Sequence, residues 1–188
     1  MIYLDSAATT LQKPRSVSAA VAAAITTMTT PGRGEHSASR LAADRMLAMR
    51  TTAAELFDVS TPENVLLTMN ATHALNLAIK SIVKPGDTVV ISGYEHNAVT
   101  RPLHSIADVK VRVVNGELFN ADQMAEGFER ALQEGAAAVV CTHTSNVFGY
   151  TLPIDDIAQL CRRRGVPLIV DASQSAGIVP VRLQVWGA

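Results

Sequence analysis

Ala137-Ala138-Val139-Val140-Cys141-Thr142-His143-Thr144-Ser145-Asn146 is the stretch whose reading decides the fold. An uncharged run rich in small and branched side chains passes directly into residues that can all hydrogen-bond. The pattern predicts a buried strand, Ala137–Thr142, whose carboxyl end opens onto a polar loop. Working outward, the same unit recurs. Strands are expected at Val65–Met69, Thr88–Ser92, Val109–Val114 and Pro167–Val170. Between them lie helical stripes: Leu75, Ala78, Ile79 and Ile82, then Met124, Phe128 and Leu132, then Ile154, Ile157, Ala158 and Cys161. Strands alternating with amphipathic helices build a mostly parallel sheet flanked by helices, an α/β fold. Lys84-Pro85-Gly86-Asp87 and Arg164-Gly165-Val166-Pro167 read as helix-to-strand turns, each with Gly after the helix and Pro close by.

Upstream, a short strand is expected at Ile2–Leu4 and an Ala-rich helix over Pro14–Met28, with Pro14 in its first turn. A loop at Pro31-Gly32-Arg33-Gly34 precedes a second helix that carries Ala42, Met46, Met49, Ala53 and Leu56 on one face. Downstream, Val179–Ala188 reads as a strand or turn leading into more domain.

Bulk properties narrow the function. The 188 residues suffice for one domain with a core, and 48% hydrophobic content with few aromatics suits an α/β protein rather than a disordered chain. A net charge of −1 gives no sign of nucleic-acid or membrane-surface binding. Arg162, Arg163 and Arg164 suit the last turn of a helix, where the macrodipole favours cations. Two cysteines, Cys141 and Cys161, make neither a disulfide framework nor a metal spacing, and Cys141 is expected to be buried. His36, His73, His96, His104 and His143 form no zinc pattern. No basic segment precedes an apolar core at the N-terminus, and no apolar run approaches the roughly 20 residues that span a bilayer. A cytoplasmic location is therefore expected.

In an open parallel sheet, ligands bind at the carboxyl ends of the strands. The residues there are polar: Asn70-Ala71-Thr72-His73, Gly93-Tyr94-Glu95-His96-Asn97, His143 through Gly149, and Asp171-Ala172-Ser173-Gln174. A strand turning into a helix at Ala71 and Thr72 presents unpaired N–H groups to an anion, although Asn70 or Thr72 could equally serve as a cap. Gly32-x-Gly34 lacks a third glycine and follows no strand, so a dinucleotide fingerprint is set aside. His96, between a strand and an apolar helix beginning near Ala98, can stack on a flat ring or move a proton, or be a structural loop residue. Asp171 follows Leu168-Ile169-Val170, where a carboxylate is costly unless a donor or positive group meets it. It could also cap the turn through Ser173.

Five segments in register resemble the fold-type I pyridoxal phosphate (PLP) enzymes, specifically the class V aminotransferase and cysteine desulfurase family. They are Tyr3-Leu4-Asp5-Ser6-Ala7-Ala8-Thr9-Thr10, Asn70 through Ala78, Glu95-His96-Asn97, Ser145-Asn146-Val147-Phe148-Gly149 and Val170-Asp171-Ala172-Ser173-Gln174. The resemblance implies that residues 14–188 make most of the PLP-binding large domain and residues 1–13 an N-terminal arm. By it, Ala71 and Thr72 hold the cofactor phosphate, His96 stacks on the pyridine ring, Asn146 and Gln174 lie near the ring hydroxyl, and Asp171 pairs with the ring nitrogen. His36, in Gly34-Glu35-His36-Ser37, falls where related enzymes bring a loop toward the substrate. The implied reaction is L-cysteine to L-alanine with sulfur left on an enzyme thiol, in a homodimer that can pass sulfur to an acceptor protein.

The family's Schiff-base lysine follows the Asp-x-x-Gln segment, whereas Lys13, Lys80, Lys84 and Lys110 all precede it. The chain is thus expected to be the front portion of a larger enzyme, silent alone. His73 stands where the family usually has Glu, and Met69-Asn70 replaces a small Ser-Gly or Thr-Gly pair. A selenocysteine lyase, a class V aminotransferase, a non-catalytic dimerising fragment and an unrelated nucleotide-binding α/β domain are the competing readings.

Overall fold

The computed structural model describes residues 2–188 and divides the chain into two compact units, the first ending at Leu66 and the second spanning Leu67–Ala188. In the first, α1 (Arg15–Thr27) begins after Pro14, which occupies the cap position one residue before the helix. No residue of α1 is buried, so its alanines act through helix propensity rather than packing. The second helix, α2 (Ser37–Leu56), packs against a short 3-10 turn, Pro62–Asn64. Its buried residues are Ser39, Ala42 and Ala54, while Met46, Met49 and Leu56 of the expected apolar face are exposed. The periodicity does form a helix, with Met46, Met49 and Leu56 of that face partly open to solvent rather than fully buried. Ile2–Leu4 is not a strand, and both Ile2 and Leu4 are exposed.

In the second unit, α3 (Ala71–Ile82), β1 (Thr88–Ser92), α4 (Asn97–His104), β2 (Lys110–Val114), α5 (Ala121–Gln133), β3 (Ala138–Thr142), α6 (Ile154–Arg164), β4 (Leu168–Asp171) and α7 (Leu183–Trp186) follow in order. All strand pairs are parallel, and the sheet order is β2-β1-β3-β4. One face carries α3 and α4 through Leu75, Ile79, Val89, Ile91, Val99, Leu103, Val140 and Ile169. Alternate strand residues, Val90, Val139 and Cys141, point to the opposite face, where α5 and α6 pack on each other through buried stripes containing Met124, Phe128, Ile157 and Cys161. Helices on both faces explain why the central strands read as uniformly apolar.

Each helix end carries a local reason. Asn120 accepts from Gln123 N at 3.0 Å to open α5, and Gly165 closes α6 at φ 64°, directly after Arg162, Arg163 and Arg164. One sequence expectation fails here. Val65–Met69 forms no ladder: no strand lies alongside it among the described residues, and Leu66 and Met69 stand 79% and 88% exposed. Of the strand or turn expected over residues 179–188, no strand forms, and the segment bends into the short helix α7. That end is held by Trp186, which is buried, donates from Nε1 to Asp155 Oδ1 at 2.8 Å and meets His143 edge-on at 5.1 Å.

Candidate functional site

The order β2-β1-β3-β4 sends the chain to one side of β1 and then to the other, so the strand order reverses between β1 and β3. Their carboxyl ends form the crevice where open α/β sheets bind ligands. The hydrogen bonds show it opening. At its carboxyl end β1 stays with β2, through Ser92↔Val114 and a Gly93 N–H to Val114 O bond of 2.9 Å. Its pairing with β3 stops at Ile91↔Val140, while β3 stays with β4 through Thr142↔Asp171 and a 2.9 Å bond from His143 N to Asp171 O.

Two helix N-termini converge on this edge. Asn70 opens α3 by accepting from His73 N at 2.9 Å, so the capping alternative is realised at Asn70. Among the described residues nothing accepts from the N–H groups of Ala71 and Thr72, the donors an anion would take. His96 opens α4: its Nδ1 accepts from Ala98 N at 3.1 Å. This contact fixes the ring and leaves Nε2 to carry the proton of the neutral imidazole. Thr72 and His96 line one groove of about 440 Å³ between α3 and α4, together with Asn76, Lys80 and Arg101.

Asp171 is the last residue of β4, not the residue after it, and it is 6% exposed. Its Oδ1 accepts from Ser173 N at 3.0 Å and from Ser173 Oγ at 2.5 Å, so the capping alternative holds here too and orients the carboxylate. Asn146 is exposed in the turn after β3, a turn closed by Ser145 N to Tyr150 O (2.9 Å) and the Thr144↔Thr151 bridge. Gln174 is half-buried in the turns after β4. The loops after β1, β3 and β4 named from sequence thus all leave the same edge of the sheet, whereas Asn70–His73 follows no strand among the described residues and reaches the groove through the N-terminus of α3. His36 belongs to the first unit, where its Nδ1 accepts from Ser39 N at 3.3 Å and caps α2.

Glu95, to which the sequence assigns no role, is drawn into the same edge. Its Oε1 accepts from Thr142 N at 2.8 Å and from Ser92 Oγ at 2.5 Å; its Oε2 is buried with no partner among the described residues. Burial pushes its carboxyl up to about 7 against the opposing Ser92 and Thr142 hydrogen bonds, and the nearby Asp171 charge adds to the rise. The one signal available in sequence was its position, three residues beyond the last residue of a buried strand.

Cys141 is fully buried, and burial raises its thiol well above the usual range; burial also brings Cys161 to about 11. Neither presents a thiolate at neutral pH. No helix among the described residues is long and apolar enough to cross a membrane.

The family model described as aminotransferase class-V matches residues 2–188. The chain belongs to the class-V aminotransferase family. Among curated relatives, this class-V chain is 31% identical over 192 residues to a probable cysteine desulfurase of Synechocystis sp., covering 98% of the chain and 46% of the relative. It is 30% identical over 209 residues to a cysteine desulfurase of Yersinia pseudotuberculosis, covering 100% and 48%. Among solved structures, the apo cysteine desulfurase of Thermococcus onnurineus NA1 superposes with a TM-score of 0.87 at 25% identity, over 100% of this chain and 48% of that one. A C-DES mutant with glycine covalently linked to its PLP cofactor shares the fold, with a TM-score of 0.75 at 22% identity over 91% and 46%. The chain therefore spans less than half the length of these relatives.

Proposed function

We propose that the chain supplies the PLP-binding face of a cysteine desulfurase-like enzyme. The observation that carries this reading is Asp171: a buried carboxylate, oriented by Ser173, at the sheet edge where the N-termini of α3 and α4 converge. The donor set fits PLP. The N–H groups of Ala71 and Thr72, with the Thr72 hydroxyl, would take the phosphate; Nδ1-anchored His96 would lie on the ring; Asn146 and Gln174 would reach the ring hydroxyl; Asp171 would hold the ring nitrogen. When bound, this cofactor supplies an electron sink for a carbanion at the substrate α-carbon. Asp171 keeps the sink effective: at about 3 Å and an effective dielectric near 20, a carboxylate stabilises a pyridinium by roughly 5 kcal/mol before desolvation is subtracted.

Turnover belongs to the whole protein, since the family's lysine follows the Asp-x-x-Gln segment and every lysine here precedes it. The reaction we assign is L-cysteine plus an enzyme thiol giving L-alanine plus the enzyme persulfide, in a homodimer. The C–S bond breaks, an S–S bond forms, and the thiol proton ends on alanine. Neither buried thiol of this chain suits the acceptor role, and His36 is carried forward as a substrate contact only by resemblance.

Equilibrium dialysis of the 188-residue chain tests the binding step. PLP is expected to bind saturably, pyridoxal more weakly, and inorganic phosphate to compete. Equal binding of PLP and pyridoxal, or binding of neither, would overturn the proposal.

A further inference from the structure

The parting of β1 from β3 leaves Thr142 N–H beyond the last β1–β3 pair, Ile91↔Val140. Glu95 fills that gap: Oε1 takes the Thr142 N–H, and Ser92 Oγ, which itself accepts from Tyr94 N at 3.2 Å, donates to the same oxygen. One side chain thus splints two diverging strands at the point of ligand entry. Its other oxygen, Oε2, has neither a protein donor nor solvent among the described residues. An ionised carboxylate there would leave a charged oxygen buried and unsolvated, a costly arrangement; a carboxylic acid would not.

We propose that Glu95 is a positioning residue of the crevice, carrying a proton on its carboxyl so that Asp171 is the only charged carboxylate there. The inference deepens the cofactor reading and rests on it for its purpose. The other titratable groups facing Glu95 agree with this assignment. Asp171 on β4 opposes a second negative charge, and Cys141 on β3, itself held as a neutral thiol by burial, contributes no positive partner. The shift of Glu95 to about 7 has the same direction. A single charge matters because Asp171 must stay ionised to pair with a protonated ring nitrogen. Two ionised carboxylates in one buried crevice would raise each other's proton affinity and blur which of them holds the ring.

The test begins without cofactor. In the 188-residue chain labelled with carboxyl-¹³C glutamate, one glutamate is expected to titrate near neutrality, to vanish in Glu95→Gln, and to move to lower pH in Asp171→Asn. If every glutamate of the wild-type chain titrates in the ordinary carboxylate range, the proposal is overturned, whatever the variants do. With PLP added, Glu95→Ala is expected to weaken binding about tenfold by leaving Thr142 N–H unpaired, and Glu95→Gln to rescue it. Failure of Gln to rescue while Ala binds weakly would mean that the ionised form is what the site uses, and would overturn the assignment. Absence of PLP binding by the wild-type chain would instead sink the cofactor reading, with the glutamate titration still deciding the protonation of Glu95.

Discussion

Two carboxylates at one sheet edge are set apart by what meets their oxygens. Asp171 has its Oδ1 held by Ser173, whereas Glu95 has one oxygen satisfied and one buried alone. In the whole protein, Asp171→Ala should retain some cofactor yet lower turnover by about 100-fold, as expected if half of the roughly 5 kcal/mol gross interaction is lost; this is read as kcat with cofactor saturating. Wild-type turnover in that variant would remove Asp171 from the site. Glu95 predicts a pH effect with a definite sign. Its folded carboxyl holds a proton up to about 7, against 4.5 when exposed, so its contribution is complete below about 4.5 and is lost as pH rises through 7. The span is worth about 3 kcal/mol, and Glu95→Gln should flatten that part of the difference in urea stability between pH 5 and pH 8. The position of Asp171 at the end of a buried strand was legible from sequence because a carboxylate ending an apolar run is locally anomalous. Glu95 was not, because its burial depends on two strands, distant in sequence, that part company at their ends.

Among the elements, close packing and anchoring give separate tests. Gly127 lies in α5 where an added Cβ would sit 2.5 Å from Val114 Cγ1, on a buried β-branched side chain at the end of β2. Alanine favours a helix by about 1 kcal/mol over glycine, but overpacking costs roughly 1–3 kcal/mol. Gly127→Ala should therefore destabilise the chain by about 1 kcal/mol, and Val114→Ala in the same chain should remove the clash, as a double-mutant cycle in urea would show. The helix α7 offers the opposite pH sign to Glu95. His143 is buried against Trp186 and accepts or shares a hydrogen bond with Ser175 Oγ at 2.9 Å; burial lowers its proton affinity below the ordinary 6.5. Neutral His143 thus supports the fold fully above 6.5, and that support is lost as pH falls through its lowered value. The single tryptophan, Trp186, should report this as an acid-induced fluorescence change that His143→Gln abolishes. From sequence, the elements with buried stripes were legible to within a residue: β1 as Thr88–Ser92 and α5 through Met124, Phe128 and Leu132. Val65–Met69 was not, because its hydrophobicity is that of a strand while pairing requires a neighbour, which no local pattern encodes.

For the whole molecule, a mostly parallel sheet was implied by alternating strands and helices, but the order β2-β1-β3-β4 and its reversal between β1 and β3 depend on crossovers that periodicity does not report. Stability should be uneven. In native-state hydrogen exchange, β3, buried along its whole length, should protect best, and α1, with no buried residue, should exchange fastest. The two thiols extend this into a chemical measurement. Cys141 sits in the most protected strand and Cys161 in α6, and both are protonated and shielded at neutral pH. A thiol-reactive dye can therefore reach them only through opening, and these cysteines act as two clocks: Cys161 for excursions of one helix, Cys141 for loss of the sheet. In a longer protein that carries this chain, any thiol that reacts at once would be a third one, so prompt labelling would count the accessible thiols on which the proposed sulfur transfer depends.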